Sequence, residues 1–254
     1  KSSGIIIVNS DELAGLYLLT PPKFDLAPFG ETLKSVLDTG AVDCLQLRLK
    51  DVSDDEIRTA IDAILPMCVD RDIPLILNDR PDIARKSGCD GVHVGEGDAS
   101  YDEARAIMGE EHIVGVSCYD SRHKAMILGE KGADYVAFGA FYPTKTKEAK
   151  TSVTPEILEI WTTFTTVPCV AIGGITADNV APLVLAGADF IAVTGGVWNH
   201  PDGPEAGAKA IKAAEFLYYA NGESRDELAQ FIRILSEAEM GERKIDRMVL
   251  SGHS

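Results

Sequence analysis

The residues of this chain that could do chemistry stand at the ends of short apolar runs. Gln46, Arg48 and Lys50 alternate after one such run. If the backbone stays extended there, all three point to one side. An amide and two cations on one side suit a diphosphate, Arg as a planar fork and Lys as a point charge. A solvated strand end would carry the same residues. Asp79 follows Leu75–Leu77, and Asp98 follows Gly91–Val94. Two carboxylates at neighbouring strand ends would converge on one point and suit Mg²⁺ with a phosphate ligand, although helix caps or solvated loop acids use the same residue type. Asn78 and Ser117 also end apolar runs. Thr144, Thr146, Lys145 and Lys147 crowd a loop after Gly139-Ala140, which reads as an oxyanion-binding loop or a basic surface loop. Gly173-Gly174 and Gly195-Gly196 close two further runs. Paired glycines let backbone N–H groups approach a phosphate, and a helix start near Ala177 would add a favourable dipole.

These groups need a frame that brings many strand ends to one place. Leu16–Leu19, Cys44–Leu47, Leu75–Leu77, Gly91–Val94, Ile113–Ser117, Tyr135–Gly139, Cys169–Ile172 and Phe190–Val193 read as strands. Helical stretches separate them, two opened by capping boxes at Ser53/Glu56 and Ser100/Glu103. Eight βα units over roughly 220 residues favour a (β/α)8 TIM barrel with an additional C-terminal helix over an open doubly wound sheet. In such a barrel, loops after the last two strands commonly take a phosphate. The expected organisation is a catalytic barrel over 1–222 and a helical extension over 223–254. A third capping box at Ser224 would open an amphipathic helix that packs on the parent domain or on another subunit. Residues 243–254 read as loosely ordered.

Composition removes some classes of function. Forty acidic residues against 24 basic ones leave a net charge of −16, the wrong sign for a nucleic-acid binder. No apolar run nears the ~20 residues that span a bilayer. Five cysteines without C-x-x-C spacing read as reduced core thiols, which points to the cytoplasm. His93, inside an apolar run, reads as a core or supporting histidine rather than a metal ligand. His112, His123 and His200 show no ligand spacing.

The ordered set QLRLK (46–50), ND (78–79), GVHVGEGD (91–98), GVS (115–117), GADYVAFGAFYPTKTK (132–147), AIGGIT (171–176) and AGADFIAVTGG (186–196) resembles the thiamine-phosphate synthase family. The resemblance spans about Leu16–Val197. It implies an enzyme that condenses a hydroxymethylpyrimidine diphosphate with a thiazole phosphate, releasing diphosphate by a dissociative route with Mg²⁺. It further implies that Gln46, Arg48, Lys50, Asn78, Ser117 and Lys147 hold the pyrimidine diphosphate, with Arg48, Lys50 and Lys147 catalytic. Asp79 and Asp98 would hold Mg²⁺, and Thr144, Thr146, Gly174, Thr194 and Gly195 the thiazole phosphate. Partners would be these small molecules, with no nucleic acid and no membrane; a homo-oligomer is left open. Leu49, Glu96 and Gly195 depart from the family's usual acid, Gln and Ser. A thiazole tautomerase-like paralogue and a non-catalytic ligand-binding barrel are the competing readings.

Overall fold

A computed structural model of the chain describes residues 5–8, 14–143, 152–221 and 248–251. In chain order the elements are β1 (Ile5–Val8), β2 (Gly15–Leu19), α1 (Leu26–Leu37), β3 (Cys44–Leu47), α2 (Asp54–Val69), β4 (Leu75–Asn78), α3 (Pro81–Ser87) and β5 (Gly91–Val94). Then follow α4 (Tyr101–Met108), β6 (Ile113–Tyr119), α5 (Arg122–Glu130), β7 (Tyr135–Phe138), α6 (Glu156–Phe164), β8 (Cys169–Ile172), α7 (Ala181–Leu185), β9 (Phe190–Val193), α8 (Gly195–Trp198), α9 (Pro204–Asn221) and β10 (Met248–Ser251). Strands β2 to β9 pair in sequence order and close into a barrel. Each pairing is parallel, and β2 meets β9 with Leu18 opposite Val193. The (β/α)8 expectation holds for every one of its strands.

Alternation along the strands divides the apolar side chains into two cores. Leu16, Leu18, Leu45, Leu47, Leu75, Leu77, Val114, Val116, Val136 and Phe138 point outward and pack under the helices. Tyr17, Leu19, Cys44, Ile76, Tyr135, Ala137, Val170 and Ala192 fill the barrel interior. Gly115 belongs to that interior: a Cβ there would lie 1.9 Å from Cζ of Tyr135, so the missing side chain is the space the tyrosine ring occupies.

The N-terminal rim of the barrel carries a device repeated four times around the circle. The aspartate before one strand accepts a hydrogen bond from the first N–H groups of the strand preceding it. Asp43 takes Leu16 N at 2.7 Å, Asp90 takes Leu75 N at 2.8 Å, Asp134 takes Val114 N at 2.7 Å and Asp189 takes Cys169 N at 2.8 Å. Each pin satisfies a donor that the parallel ladder leaves over, and ties β2 to β3, β4 to β5, β6 to β7 and β8 to β9. Both capping boxes form as expected, at Ser53/Glu56 and Ser100/Glu103.

Three features differ from the sequence expectations. The helix expected near Ala177 begins at Ala181, because Asn179 folds the intervening turn, its Oδ1 accepting from Thr176 N and its Nδ2 donating to Gly174 O. A short helix not foreseen, α8, starts directly after Thr194. Met248–Ser251, expected to be loose chain, is a strand paired antiparallel with β1. The amphipathic helix expected from Ser224 lies outside the described residues. No described helix is long and apolar enough to cross a membrane.

The rim pins give a stability prediction. Asp90→Ala and Asp189→Ala each leave a strand N–H without its acceptor and should cost about 1 kcal/mol, at the low end because both aspartates border solvent. The double variant should cost about the sum, since distant sites add. Urea denaturation at constant m-value checks both.

Candidate active site

The C-terminal ends of the barrel strands surround a cavity of about 180 Å³. Gln46, Arg48, Lys50, Asn78, Asp79, Asp98 and Ser117 all line it. Lys147, Thr144 and Thr146 lie outside the described residues. Gly174, Thr194 and Gly195 sit beyond the ends of β8 and β9 and do not line this cavity. Gly174 has φ +65°, and a Cβ there would lie 2.4 Å from Pro143 O, so the turn after β8 admits no side chain.

Strand β3 ends at Leu47, yet Arg48 and Lys50 stay tied to the segment that follows β2. Arg48 N donates to Thr20 Oγ1 at 2.9 Å and Lys50 N to Pro22 O at 3.0 Å. Those bonds keep the alternation of Gln46, Arg48 and Lys50, so their side chains reach the same space. Asp79 follows β4 in the left-handed region, φ +69°, a conformation a short polar side chain tolerates better than most. Its N–H is held by His93 O at 2.8 Å, which fixes the turn. Strand β6 runs on past Ser117 with a register shift between Ser117 and Tyr119.

Charges of both signs meet here. Lys50 Nζ pairs with Asp79 Oδ2. Burial pulls the Arg48 guanidinium below its ordinary value, and the negative charge of Asp79 opposes that shift. The Asp98 carboxyl is raised, first by burial, then by a hydrogen bond and charge repulsion from Asp79; the Gly95 N–H, at 2.9 Å, and Lys50 pull the other way. A carboxyl raised by a second carboxylate beside it marks a charge pattern that a hard divalent cation relieves. Among the described residues no set of three His, Cys, Asp or Glu groups that could hold a metal is found. An all-protein cage is therefore not what these residues offer. Two carboxylates fit Mg²⁺, which keeps water and phosphate ligands of its own. Asn78 lines the cavity, and its Nδ2 is buried without a hydrogen-bond partner.

The floor holds Tyr17 and Tyr135, which the sequence does not single out, and His93, which reads there as a core or supporting histidine and is one. Tyr17, His93 and Tyr135 line the cavity with Leu19, Ala137, Val170, Ile172 and Ala192. Strand parity carries the signal: Tyr17 lies two residues from inward Leu19, Tyr135 two from inward Ala137, and His93 alternates with the outward Val92 and Val94. Glu96 lines the cavity too, its N–H 3.3 Å from Tyr119 Oη. All five cysteines are buried and unbridged. Burial pushes Cys68, Cys89, Cys118 and Cys169 up to about 12, so none is a thiolate nucleophile at neutral pH.

Comparison with known proteins points one way. The family described as Thiamine monophosphate synthase matches residues 16–197. A thiamine-phosphate synthase from Rhodospirillum centenum is 60% identical over 191 residues, covering 75% of this chain and 92% of that protein. One from Hyphomonas neptunium is 47% identical over 206 residues, covering 78% and 92%. Among solved structures, a thiamine phosphate pyrophosphorylase from Pyrococcus furiosus superposes with a TM-score of 0.71 at 26% identity, covering 83% of this chain and 98% of its own.

The acidic pair predicts a stability change without any ligand. Because the folded chain raises the Asp98 carboxyl, it binds protons more readily than the unfolded chain. The ionised form therefore lowers stability at neutral pH, and the deficit fades as pH falls through the raised value. Asp98→Asn should raise the metal-free Tm at pH 7 by about 2 °C, a small gain because solvent screens the pair. Differential scanning calorimetry at pH 7 and pH 4 checks the sign: the gain shrinks at the lower pH.

Proposed function

This chain belongs to the thiamine monophosphate synthase family, whose curated members named above are thiamine-phosphate synthases, transferases, and on that premise we propose how its barrel mouth divides the work. Gln46, Arg48, Lys50, Asn78, Ser117 and Lys147 hold a hydroxymethylpyrimidine diphosphate. Gly174, Thr194 and Gly195, with Thr144 and Thr146, hold a thiazole phosphate. The observation that carries the first assignment is the convergence of Arg48, Lys50, Asn78, Asp79 and Asp98 on one cavity. The second assignment rests on a glycine turn after β8 closed to side chains and on the family's own pattern.

The reaction breaks the bond between the pyrimidine's exocyclic carbon and the diphosphate oxygen. The thiazole nitrogen then bonds to that carbon. In the dissociative order the leaving diphosphate gains negative charge before the new bond forms. Arg48 and Lys50 sit where that charge grows, and Lys147 joins them in our reading. A desolvated guanidinium interacts more strongly with a developing anion than a solvated one does. Mg²⁺, held by Asp79 and Asp98, would supply further positive charge to the diphosphate when bound. Lys50 pairs with Asp79 in the free chain, and its ammonium would serve the diphosphate once that carboxylate were engaged elsewhere. The apolar walls, Leu19, Ala137, Val170, Ile172 and Ala192, keep water from the electron-poor pyrimidine carbon.

Inorganic diphosphate should appear when both substrates and Mg²⁺ are present, and not with either substrate alone. Arg48→Ala should lower kcat/KM about 10²–10³-fold, the loss typical of one transition-state anion donor. Mg²⁺ should raise the Tm of the parent chain and leave Asp98→Asn unmoved. A protein that binds both substrates yet makes no condensed product refutes the assignment.

A further inference from the structure

Under the cavity runs an unbroken hydrogen-bonded chain across five strands. Gln46 Nε2 donates to the Tyr17 hydroxyl at 2.9 Å. The Tyr17 and Tyr135 hydroxyls are 2.8 Å apart. Tyr135 Oη meets His93 Nδ1 at 2.9 Å, and His93 Nε2 meets Ser117 Oγ at 2.8 Å. Tyr17, Gln46, Tyr135 and His93 are all buried, and burial holds both phenols well above their ordinary values, so they stay neutral.

Counting protons gives the chain a direction. A phenol has one proton to give. Tyr17 receives from Gln46, and its own proton goes to Tyr135; Cys44 Sγ, a thiol, is the weaker rival acceptor. Tyr135 then gives its proton to His93 Nδ1. A neutral imidazole with Nδ1 accepting carries its proton on Nε2 and donates it to Ser117 Oγ. Two groups are left for the cavity, at opposite ends of the chain: the Gln46 carbonyl oxygen as an acceptor, and the Ser117 hydroxyl as a donor.

We propose that Tyr17, Tyr135 and His93 are positioning residues that set the hydrogen-bond polarity of the site, so that it accepts a flat heterocycle with an amino donor and a ring-nitrogen acceptor and rejects one with a carbonyl at the amino position. The inference rests on the pyrimidine assignment above. An oxo group would set acceptor against acceptor at Gln46. Turning the Gln46 amide to suit it would leave Tyr17 without its donor and demand that every proton in the chain reverse. Buried polar groups left unpaired are what give a site of this kind its strong discrimination.

The test uses the full chain. ¹⁵N NMR of the ligand-free protein should show His93 as the Nε2–H tautomer, a measurement that needs no substitution. The aminopyrimidine alcohol and its 4-oxo analogue then serve as probes in calorimetry, and their diphosphates in kinetics. The parent chain should prefer the amino form at least about 100-fold, and Tyr135→Phe, which keeps the ring but cuts the chain, should lose at least about tenfold of that preference. The same variant should leave KM for the thiazole phosphate within about twofold. A His93 proton on Nδ1, or equal losses for both substrates and both pyrimidines, overturns the proposal. Failure of the functional reading shows differently, as absence of diphosphate release from the parent chain with a correct His93 tautomer.

Discussion

Closure of the barrel is the constraint on which everything else rests. An open sheet of the same strands would leave β2 and β9 at opposite edges, and the polar ends of β3, β4, β5 and β6 would fan apart. Pairing Leu18 against Val193 bends those ends onto one centre. The rim aspartates act at the other end of the same strands. By using up the N–H groups left over at Leu16, Leu75, Val114 and Cys169, they fix neighbouring strands in pairs. One rim is spent on holding the barrel together, and the other is free for chemistry.

At that free rim, opposite charges are kept close without neutralising one another fully. Asp79 faces Lys50 on one side and Asp98 on the other. The Arg48 guanidinium stands in a partly desolvated place next to the same carboxylate. Such an arrangement is poor for the stability of the empty chain. The trade between stability and function is a common one at binding sites. The overall charge of −16 hides this local pattern.

Much of this was legible in the sequence, for physical reasons that can be named. Short apolar runs separated by helices give the barrel because both faces of a parallel strand are buried. The alternation Gln46, Arg48, Lys50 read correctly because hydrogen bonds to Thr20 and Pro22 keep the backbone extended past the strand. The helix start near Ala177 misread because periodicity does not register an Asn side chain, here Asn179, capturing a turn. The pairing of β1 with β10 was invisible, since it joins segments at opposite ends of the chain. The hydrogen-bonded floor was legible only in part: His93 read as a core or supporting histidine, but Tyr17 and Tyr135 sit inside apolar runs and look like core, and only the closed geometry shows the three joined.

The empty space at Gly115 has a consequence for how this protein can change. Tyr135 fits because residue 115 has no side chain, and its hydroxyl is held because the ring fits. Even alanine at 115 would require a smaller residue at 135, and a smaller residue has no phenol to join Tyr17 to His93. The two positions are thus locked as a pair across the strand boundary. In a saturation-mutagenesis map Gly115, which does not line the cavity, would be as intolerant of replacement as the groups that do.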